Sequence, residues 1–410
     1  MLKNYLKLSW KVLGRNRFFT FVSLFGITFT IGILLVLTTF FENVLNPGAP
    51  EVNRSRSLYL LNVTLENQEH RSSTSAGVGY GLYNRYLQKM KTPEKISLTT
   101  IGEAITTISR QQKVSLVIKR TCDNFWEVNE FSFIEGRAFG KRAIEQREYV
   151  AVITESARDA YFGKGAKAIG EQIKAGGGNY RVIGIIENVP AAQLMVYADV
   201  YVPYVSTQKS LGDRYVGEYI VSFLGAREAD LPRIQAEFNS LIQRVEMPED
   251  YDTIEARALT VPETISAFLN RGEPTLGILT SIVFGAMFLF MLLPALNLVN
   301  LNSSRILERS SEIGVRKAFG ATTSTLTMQF LVENVVLTLL GGVLGLCLAF
   351  WLLNLIESSE LIPHLDLQLN WRVYGTAILL CLFFGLLSGV LPALRMSRLR
   401  IVHALKGQSS

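Results

Sequence analysis

The sequence predicts an α/β membrane protein: four transmembrane helices, one before and three after a two-lobed α/β extracytoplasmic domain. Three observations predict it. Four apolar blocks are long enough to cross a bilayer, basic residues collect on one side of them, and about 230 residues of ordinary polarity separate the first block from the second. With 49% hydrophobic and 19% charged residues, and a mean hydropathy of +0.24, the 410-residue chain is too apolar for an ordinary soluble enzyme. The excess is not spread evenly, so it is read block by block.

A bilayer crossing needs roughly 20 largely apolar residues at about 1.5 Å each. The first block, 18–41, contains no charge; the second lies at 275–301, the third at 326–356 with Glu333 inside it, and the fourth at 373–394. Before the first block stand Lys3, Lys7, Lys11, Arg15 and Arg17 with no acid. The 302–325 connection holds Arg305, Arg309, Arg316 and Lys317, and the 395–410 tail holds Arg395, Arg398, Arg400 and Lys406. The positive-inside rule therefore places both termini and the 302–325 segment in the cytoplasm. Residues 42–274 and the 357–372 loop, with Glu357, Glu360 and Asp366, lie outside. The expected location is the inner, cytoplasmic membrane, with several passes.

The same assignment accounts for the net charge of +6. Residues 42–274 hold 27 Lys and Arg against 29 Asp and Glu, so the basic excess belongs to the margins. There it suits anionic lipid headgroups, and no external basic patch speaks for nucleic acid. The first block exceeds the 7–15 residues usual in a signal peptide and ends Thr38-Thr39-Phe40-Phe41-Glu42 without a small-residue cleavage pattern, so a retained anchor is expected. In the segment 1–17, Leu2, Tyr5, Leu6, Trp10 and Leu13 share a helical face opposite the lysines, as in a helix lying on the inner membrane surface.

Within the external domain, alternation predicts strands at 58–65, 96–108, 114–119, 149–154, 172–174, 180–186 and 219–224. Helices are expected at 81–90 and 230–245, the latter with Asp230 as N-cap and Pro232 in its first turn. The pattern suggests one α/β lobe at about 52–120 and 215–265 and a β-rich lobe inserted at about 121–214. Nothing in it suggests catalysis. His70, His364 and His403 are far apart, Cys122 stands alone outside the membrane blocks, and neither a metal cluster nor a triad is indicated. Gly176-Gly177-Gly178 reads as a hairpin turn rather than a phosphate loop, and Phe162-Gly163-Lys164-Gly165 lacks P-loop spacing. The chain is not expected to be an enzyme or to hold a cofactor of its own.

The most informative stretch is 305–323, RILERSSEIGVRKAFGATT. Arg305, Arg309, Glu312 and Arg316 recur on one helical face and form i,i+3 and i,i+4 pairs of opposite charge. Leu307, Val315, Ala318 and Phe319 gather on another side, and Gly320 sits where a helix ends. A cytoplasmic helix of this kind suits docking against a soluble partner. Glu333, about two turns into the third block, reads as structural; Gly341, Gly342 and Gly345 read as a site of close helix packing.

At these residues the chain resembles the MacB-type, FtsX-like ABC transporter permeases. The phrase Glu312-Ile313-Gly314-Val315-Arg316-Lys317-Ala318-Phe319-Gly320-Ala321 is similar to the family's signature between its second and third membrane helices. Further similarities, in the right order, are the basic start and first apolar block, Gln329-Phe330-Leu331 with Glu333, and the ending Pro392-Ala393-Leu394-Arg395-Met396-Ser397-Arg398, which resembles the family's C-terminal tail. Phe133-Ile134-Glu135-Gly136-Arg137 and Tyr180-Arg181-Val182-Ile183-Gly184 match phrases of the family's external domain. The resemblance implies a permease that pairs with a second copy or a related permease and binds an ABC ATP-binding subunit. In that picture Arg305, Arg309, Glu312, Ile313, Gly314, Arg316, Lys317 and Gly320 face the ATPase. ATP is held and hydrolysed on that separate subunit, since no ATPase motif stands beside the permease sequence here. The resemblance further implies export or extraction of a substrate, with a membrane-fusion protein or outer-membrane factor as a further partner. The alternative it leaves open is an FtsX-like regulator that passes ATP-driven motion to an external partner.

Overall fold

The computed structural model describes residues 17–45, 48–67, 69–206, 211–270 and 322–358, with isolated positions elsewhere. They fall into two compact units, one carrying the long apolar helices and the other built on Glu42–Leu279. The first helix, α1 (Arg17–Leu45), runs 29 residues and contains the apolar stretch Thr20–Phe40. That stretch is 21 residues long, enough to cross the hydrocarbon core of a bilayer. On α1, Phe18, Phe21, Phe25 and Phe29 form an exposed stripe, while Ile27, Ile31, Leu34 and Leu35 are buried. An outward apolar stripe on a long helix fits contact with lipid rather than water.

The domain unit opens with β1 (Ser57–Leu60), β2 (Val63–Asn67) and β3 (Ser72–Val78), then the short helix α2 (Tyr80–Arg85). Next come β4 (Lys95–Thr100), β5 (Glu103–Ser109), β6 (Gln112–Thr121) and the turn of helix α3 (Phe125–Val128). The middle contains β7 (Phe133–Gly136), α4 (Lys141–Glu145), β8 (Val150–Thr154), α5 (Glu155–Phe162), β9 (Gln172–Ala175), β10 (Gly178–Ile186) and β11 (Val200–Pro203). The unit closes with β12 (Val216–Gly217), β13 (Tyr219–Leu224), α6 (Leu231–Ile242), β14 (Thr253–Ala256) and α7 (Val261–Leu269). Strands run in the order β14-β2-β3-β13-β4-β6-β11-β8-β10-β7. Most pairs are antiparallel, but β6–β11 and β8–β10 are parallel, so the sheet is mixed.

Strand periodicity divides the core. Val150 and Val152 of β8 join one apolar cluster with Phe125 and Tyr201, while Ala151 and Ile153 join another with Val182, Val200 and Val202. Successive side chains of a strand point to opposite faces, so one sheet supports two cores. Trp126 meets Phe125, Phe131, Phe139 and Tyr201 in edge-on contacts of 5.1–5.5 Å between ring centres, which fixes the first core where α3 turns. The hairpin β5–β6 pairs over its whole length, and β6 continues through β11 into β8, so residues 103–121 share their sheet with the middle strands.

Two expected strands are broken. The 58–65 run divides at Leu61-Asn62, where the chain leaves the partner of β13 and joins the β2–β3–β14 ladder. The 96–108 run divides at Ile101-Gly102, between a strand held by β13 and one held by β6. At the first break the alternation Tyr59, Leu61, Val63, Leu65 continues, so periodicity does not mark it, whereas at the second the apolar positions shift phase from Ile96 and Leu98 to Ile101 and Ile105. The hairpin expected at Gly176-Gly177 joins β9 to β10, with φ of +51° and +83° at those glycines. Asp230 does precede α6, but its carboxylate accepts from the backbone N–H of Arg227 rather than capping the helix.

Last among the described elements comes α8 (Thr323–Ser358), 36 residues long, with an apolar stretch Leu331–Ser358 of 28 residues. The expected surface helix at 1–13 and the expected tail at 395–410 lie outside the described residues, as do nearly all positions of the 275–301 and 373–394 blocks.

Candidate functional site

In the helical unit, α1 and α8 pack through small residues. Ile27, Ile31 and Leu35 of α1 cluster with Leu337 and Ala349 of α8. A methyl group added to Gly341 would lie 2.5 Å from Ile27 Cγ2, and one on Gly345 would lie 3.0 Å from the Thr28 carbonyl oxygen. On the facing helix, a methyl on Gly32 would lie 2.9 Å from Leu348 Cδ2. Absent side chains at these positions let the two backbones approach, the means by which apolar helices associate without a hydrophobic driving force. The hydroxyl of Thr28 donates to the Gly341 carbonyl across the seam at 3.4 Å. Glu333, Asn334 and Thr338 are buried in the N-terminal half of α8. The Thr338 hydroxyl returns to the Asn334 carbonyl at 2.8 Å. The packing role expected for Gly341 and Gly345 is what the geometry shows.

The coupling segment is described only at its C-terminal end. Phe319 N–H donates to the Val315 carbonyl at 3.0 Å, a helical turn, and Gly320 comes next with φ +90°. That left-handed conformation is the one a glycine after a helical turn adopts. Thr322 then caps the next helix, its hydroxyl accepting from Thr325 N–H at 3.2 Å. The left-handed Gly320 and the cap of α8 thus stand two residues apart in the chain, at a tight corner. Phe319 is 88% exposed and Val315 about half exposed, leaving the apolar side of this turn open. Arg305, Arg309, Glu312, Ile313, Gly314, Arg316 and Lys317 lie outside the described residues.

In the domain unit, the residues that come after α1 in the chain are locked by a buried polar cluster that periodicity does not reveal. Glu51 and Arg54 form a buried ion pair. Lys119 of β6 is fully buried, its ammonium nitrogen donating to the carbonyls of Met195 at 2.7 Å and Leu194 at 3.3 Å. Burial pulls the Lys119 amine down to about 7, against the opposing attraction of Glu51. Burial likewise pushes the Glu51 carboxyl up, with Arg54 pulling the other way. Gln193 donates to the Ala49 carbonyl at 3.1 Å, Asn53 to the Val128 carbonyl at 2.9 Å, and Glu130 N–H to the Pro50 carbonyl at 2.9 Å. The segment 48–54 is therefore stitched to 128–130 and to 193–195. The signal available in sequence is faint: an i,i+3 Glu51–Arg54 pair after a proline, and a lysine on a strand face that otherwise holds Lys113, Ser115, Val117 and Thr121.

The two ends of the domain are also tied to each other. Tyr59 N–H donates to the Leu259 carbonyl at 2.7 Å, and Leu259 N–H returns to the Tyr59 carbonyl at 3.0 Å. Leu259 stands immediately before Thr260, which caps α7 in a reciprocal box with Glu263. The chain arriving from α1 and the chain departing through α7 thus share a two-bond bridge. Among the described residues no group of three His, Cys, Asp or Glu is placed to hold a metal ion.

A MacB-like periplasmic core domain matches residues 20–257, more than half of the chain, and an FtsX-like permease C-terminal domain matches residues 284–401. The chain belongs to the MacB-type, FtsX-like permeases. As a member of that family with two long apolar helices, it is a membrane protein of the ABC transporter permease class. It is 23% identical over 309 residues to the uncharacterised ABC transporter permease YknZ of Bacillus subtilis, covering 75% of this chain and 74% of that protein. It is 26% identical over 306 residues to the macrolide export ATP-binding/permease protein MacB of Acinetobacter baylyi, covering 72% of this chain but 43% of MacB. The chain thus spans less than half the length of its MacB relatives. Among solved structures, the periplasmic region of MacB from Actinobacillus actinomycetemcomitans aligns with 16% identity and a TM-score of 0.37, covering 54% of this chain and 94% of that one.

Proposed function

We propose that this permease converts ATP hydrolysis on a separate ATP-binding subunit into movement of its extracytoplasmic domain, for export or extraction of a substrate. One observation supports the reading above the rest: the FtsX-like match at 284–401 encloses the charged segment 305–320. In this reading four helices cross the inner membrane and both termini are cytoplasmic. Arg305, Arg309, Glu312, Ile313, Gly314, Arg316, Lys317 and Gly320 form the surface that meets the ATPase, and two permease copies work together. A membrane-fusion protein or outer-membrane factor would complete an exporter.

The mechanism rests on stiffness. A displacement of the coupling helix passes around the Gly320–Thr322 corner into α8, and through the small-residue seam into α1. From α1 it reaches residues 48–54, which cannot slide within the domain because buried ion pairing and backbone hydrogen bonds hold them. A packed seam transmits a push that a loose one would absorb.

The test is co-purification with the ATP-binding subunit encoded beside the gene, and assay of its ATPase in nanodiscs. The permease should raise the ATPase rate, and charge reversal at Glu312 and Arg316 should abolish both binding and stimulation. A wild-type complex indifferent to both reversals would overturn the assignment of the coupling surface. Recovery of a cell-wall hydrolase with the external domain, and no export partner, would favour the regulatory alternative.

A further inference from the structure

The last helix of the domain shows an apolar face to solvent at the point where the chain turns toward its second apolar block. In α7, Ile265, Phe268 and Leu269 stand at i, i+3 and i+4 and share a face. Phe268 is 89% exposed and Leu269 51% exposed, whereas Val261, Ser266 and Ala267 are buried against the domain. Phe268 is the most exposed large apolar side chain described in the domain unit. It also borders an open cleft of about 470 Å³ lined by Leu61 and Leu259 together with the polar Asn62, Glu255 and Arg257. A capping box at Thr260 and Glu263 closes the N-terminus of this short helix, and Asn270 N–H, donating to the Ser266 carbonyl at 3.0 Å, closes the C-terminal turn that carries the exposed face.

The next residues of the chain indicate what covers that face. Thr275 begins the apolar run 275–301, and its N–H donates to the Ser266 hydroxyl at 2.8 Å. Asn270 closes the same turn, its side-chain amide donating to the Thr275 hydroxyl at 3.1 Å. The first residue of a bilayer-length apolar run is thereby pinned to the C-terminal turn of α7, within a hydrogen bond of the residue two before Phe268. A chain that enters hydrocarbon at about Thr275 holds Phe268 and Leu269 within a few ångströms of the interfacial region.

We infer that α7 is a membrane-interfacial helix, with Phe268 and Leu269 inserted among the lipids of the outer face of the membrane. The occupant is a lipid surface. The inference goes beyond the proposed coupling to an ATPase, and it rests on the reading of 275–301 as a membrane crossing. An aromatic ring and a leucine on a short capped helix are the side chains that interfacial helices bury at the headgroup boundary.

The test uses the full chain in lipid nanodiscs, with Cys122, Cys347 and Cys381 replaced by serine and one nitroxide label attached at a time. Labels are placed by Phe268→Cys, Leu269→Cys, Val343→Cys on the exposed side of α8, and Ile101→Cys on an exposed apolar site elsewhere in the domain. Accessibility to oxygen, which partitions into lipid, is compared with accessibility to a water-soluble nickel chelate. Labels at 268 and 269 should favour oxygen over the chelate several-fold, at a shallower depth than the label at 343, while the label at 101 favours the chelate. If the label at 343 meets oxygen but those at 268 and 269 behave like 101, the interfacial assignment is overturned and the membrane reading stands. If 343 also behaves like 101, the membrane reading itself fails. Labels at 268 that reach neither reagent and broaden one another would assign the face to a second copy of the chain, which also overturns the inference.

Discussion

Gly341 sets how close α1 and α8 can come, and its replacement is the sharpest test at the scale of one residue. Gly341→Leu forces branched bulk against Ile27, already 2.5 Å from the position of a single methyl. The expected cost is about 1–3 kcal/mol, as for overpacked interiors, read as a fall in Tm of the detergent-solubilised chain. Val343→Leu, on the exposed side of the same helix, should leave Tm within experimental scatter. Lys119 offers a second residue-scale test, through pH. Its amine titrates near 7 when buried and at 10.5 when free. Between those values the unfolded chain holds a proton that the folded chain lacks, so stability rises with pH across that window, by at most about 1.4 kcal/mol per unit. Glu51, raised by burial, contributes with the opposite sign, losing stability as pH rises through its own range. Lys119→Met should remove the rise between pH 7 and 9 in a series of thermal melts. An unchanged slope would show that Lys119 stays charged.

Among the elements, α7 and the corner before α8 are held by caps whose loss can be measured. Thr260→Ala removes the hydroxyl that accepts from Glu263 N–H and leaves the backbone N–H of residue 260 on the Glu263 carboxylate, and caps of this kind are worth about 0.5–2 kcal/mol. Amide exchange in α7 should rise accordingly, with that in α6 unaffected; equal exchange in both helices would show that the box contributes nothing local. The secondary structure of these elements is largely readable in the sequence. Strands at 149–154, 180–186 and 219–224 appear as β8, β10 and β13 with ends shifted by few residues. The break at Leu61 is not readable, because alternation runs through it and records which face is buried and not which neighbour pairs; the break at Ile101 coincides with a phase shift from Ile96 and Leu98 to Ile101 and Ile105. Nor does the pattern reveal that β4 is buried along almost its whole length, a result of cover on both faces.

For the molecule as a whole, the orientation of the chain governs every functional reading. A cysteine introduced at Ser73, exposed on β3, should react with a membrane-impermeant maleimide on intact cells, while one at Ser409 should react only after permeabilisation. The reverse pattern would invert the topology and remove the coupling surface from the ATPase side. Motion in this architecture is expected to travel as displacement of packed bodies. Both chain ends of the domain are tied by the Tyr59–Leu259 bridge, so a pull on one is felt at the other.

By itself the sequence determined the family, the positions of the two long apolar helices described and the glycine at 320. These are local or compositional properties: a helix of about 20 apolar residues needs the bilayer whatever its neighbours, and a left-handed residue after a helix needs glycine. Tertiary structure alone decided that Glu51, Arg54 and Lys119 meet, and that one sheet serves two cores. It also decided that Phe268 faces outward beside the start of an apolar run. These depend on which segments pack together across long separations in the chain. No periodicity of 2 or 3.6 residues encodes that choice, because it is made by packing after the elements exist.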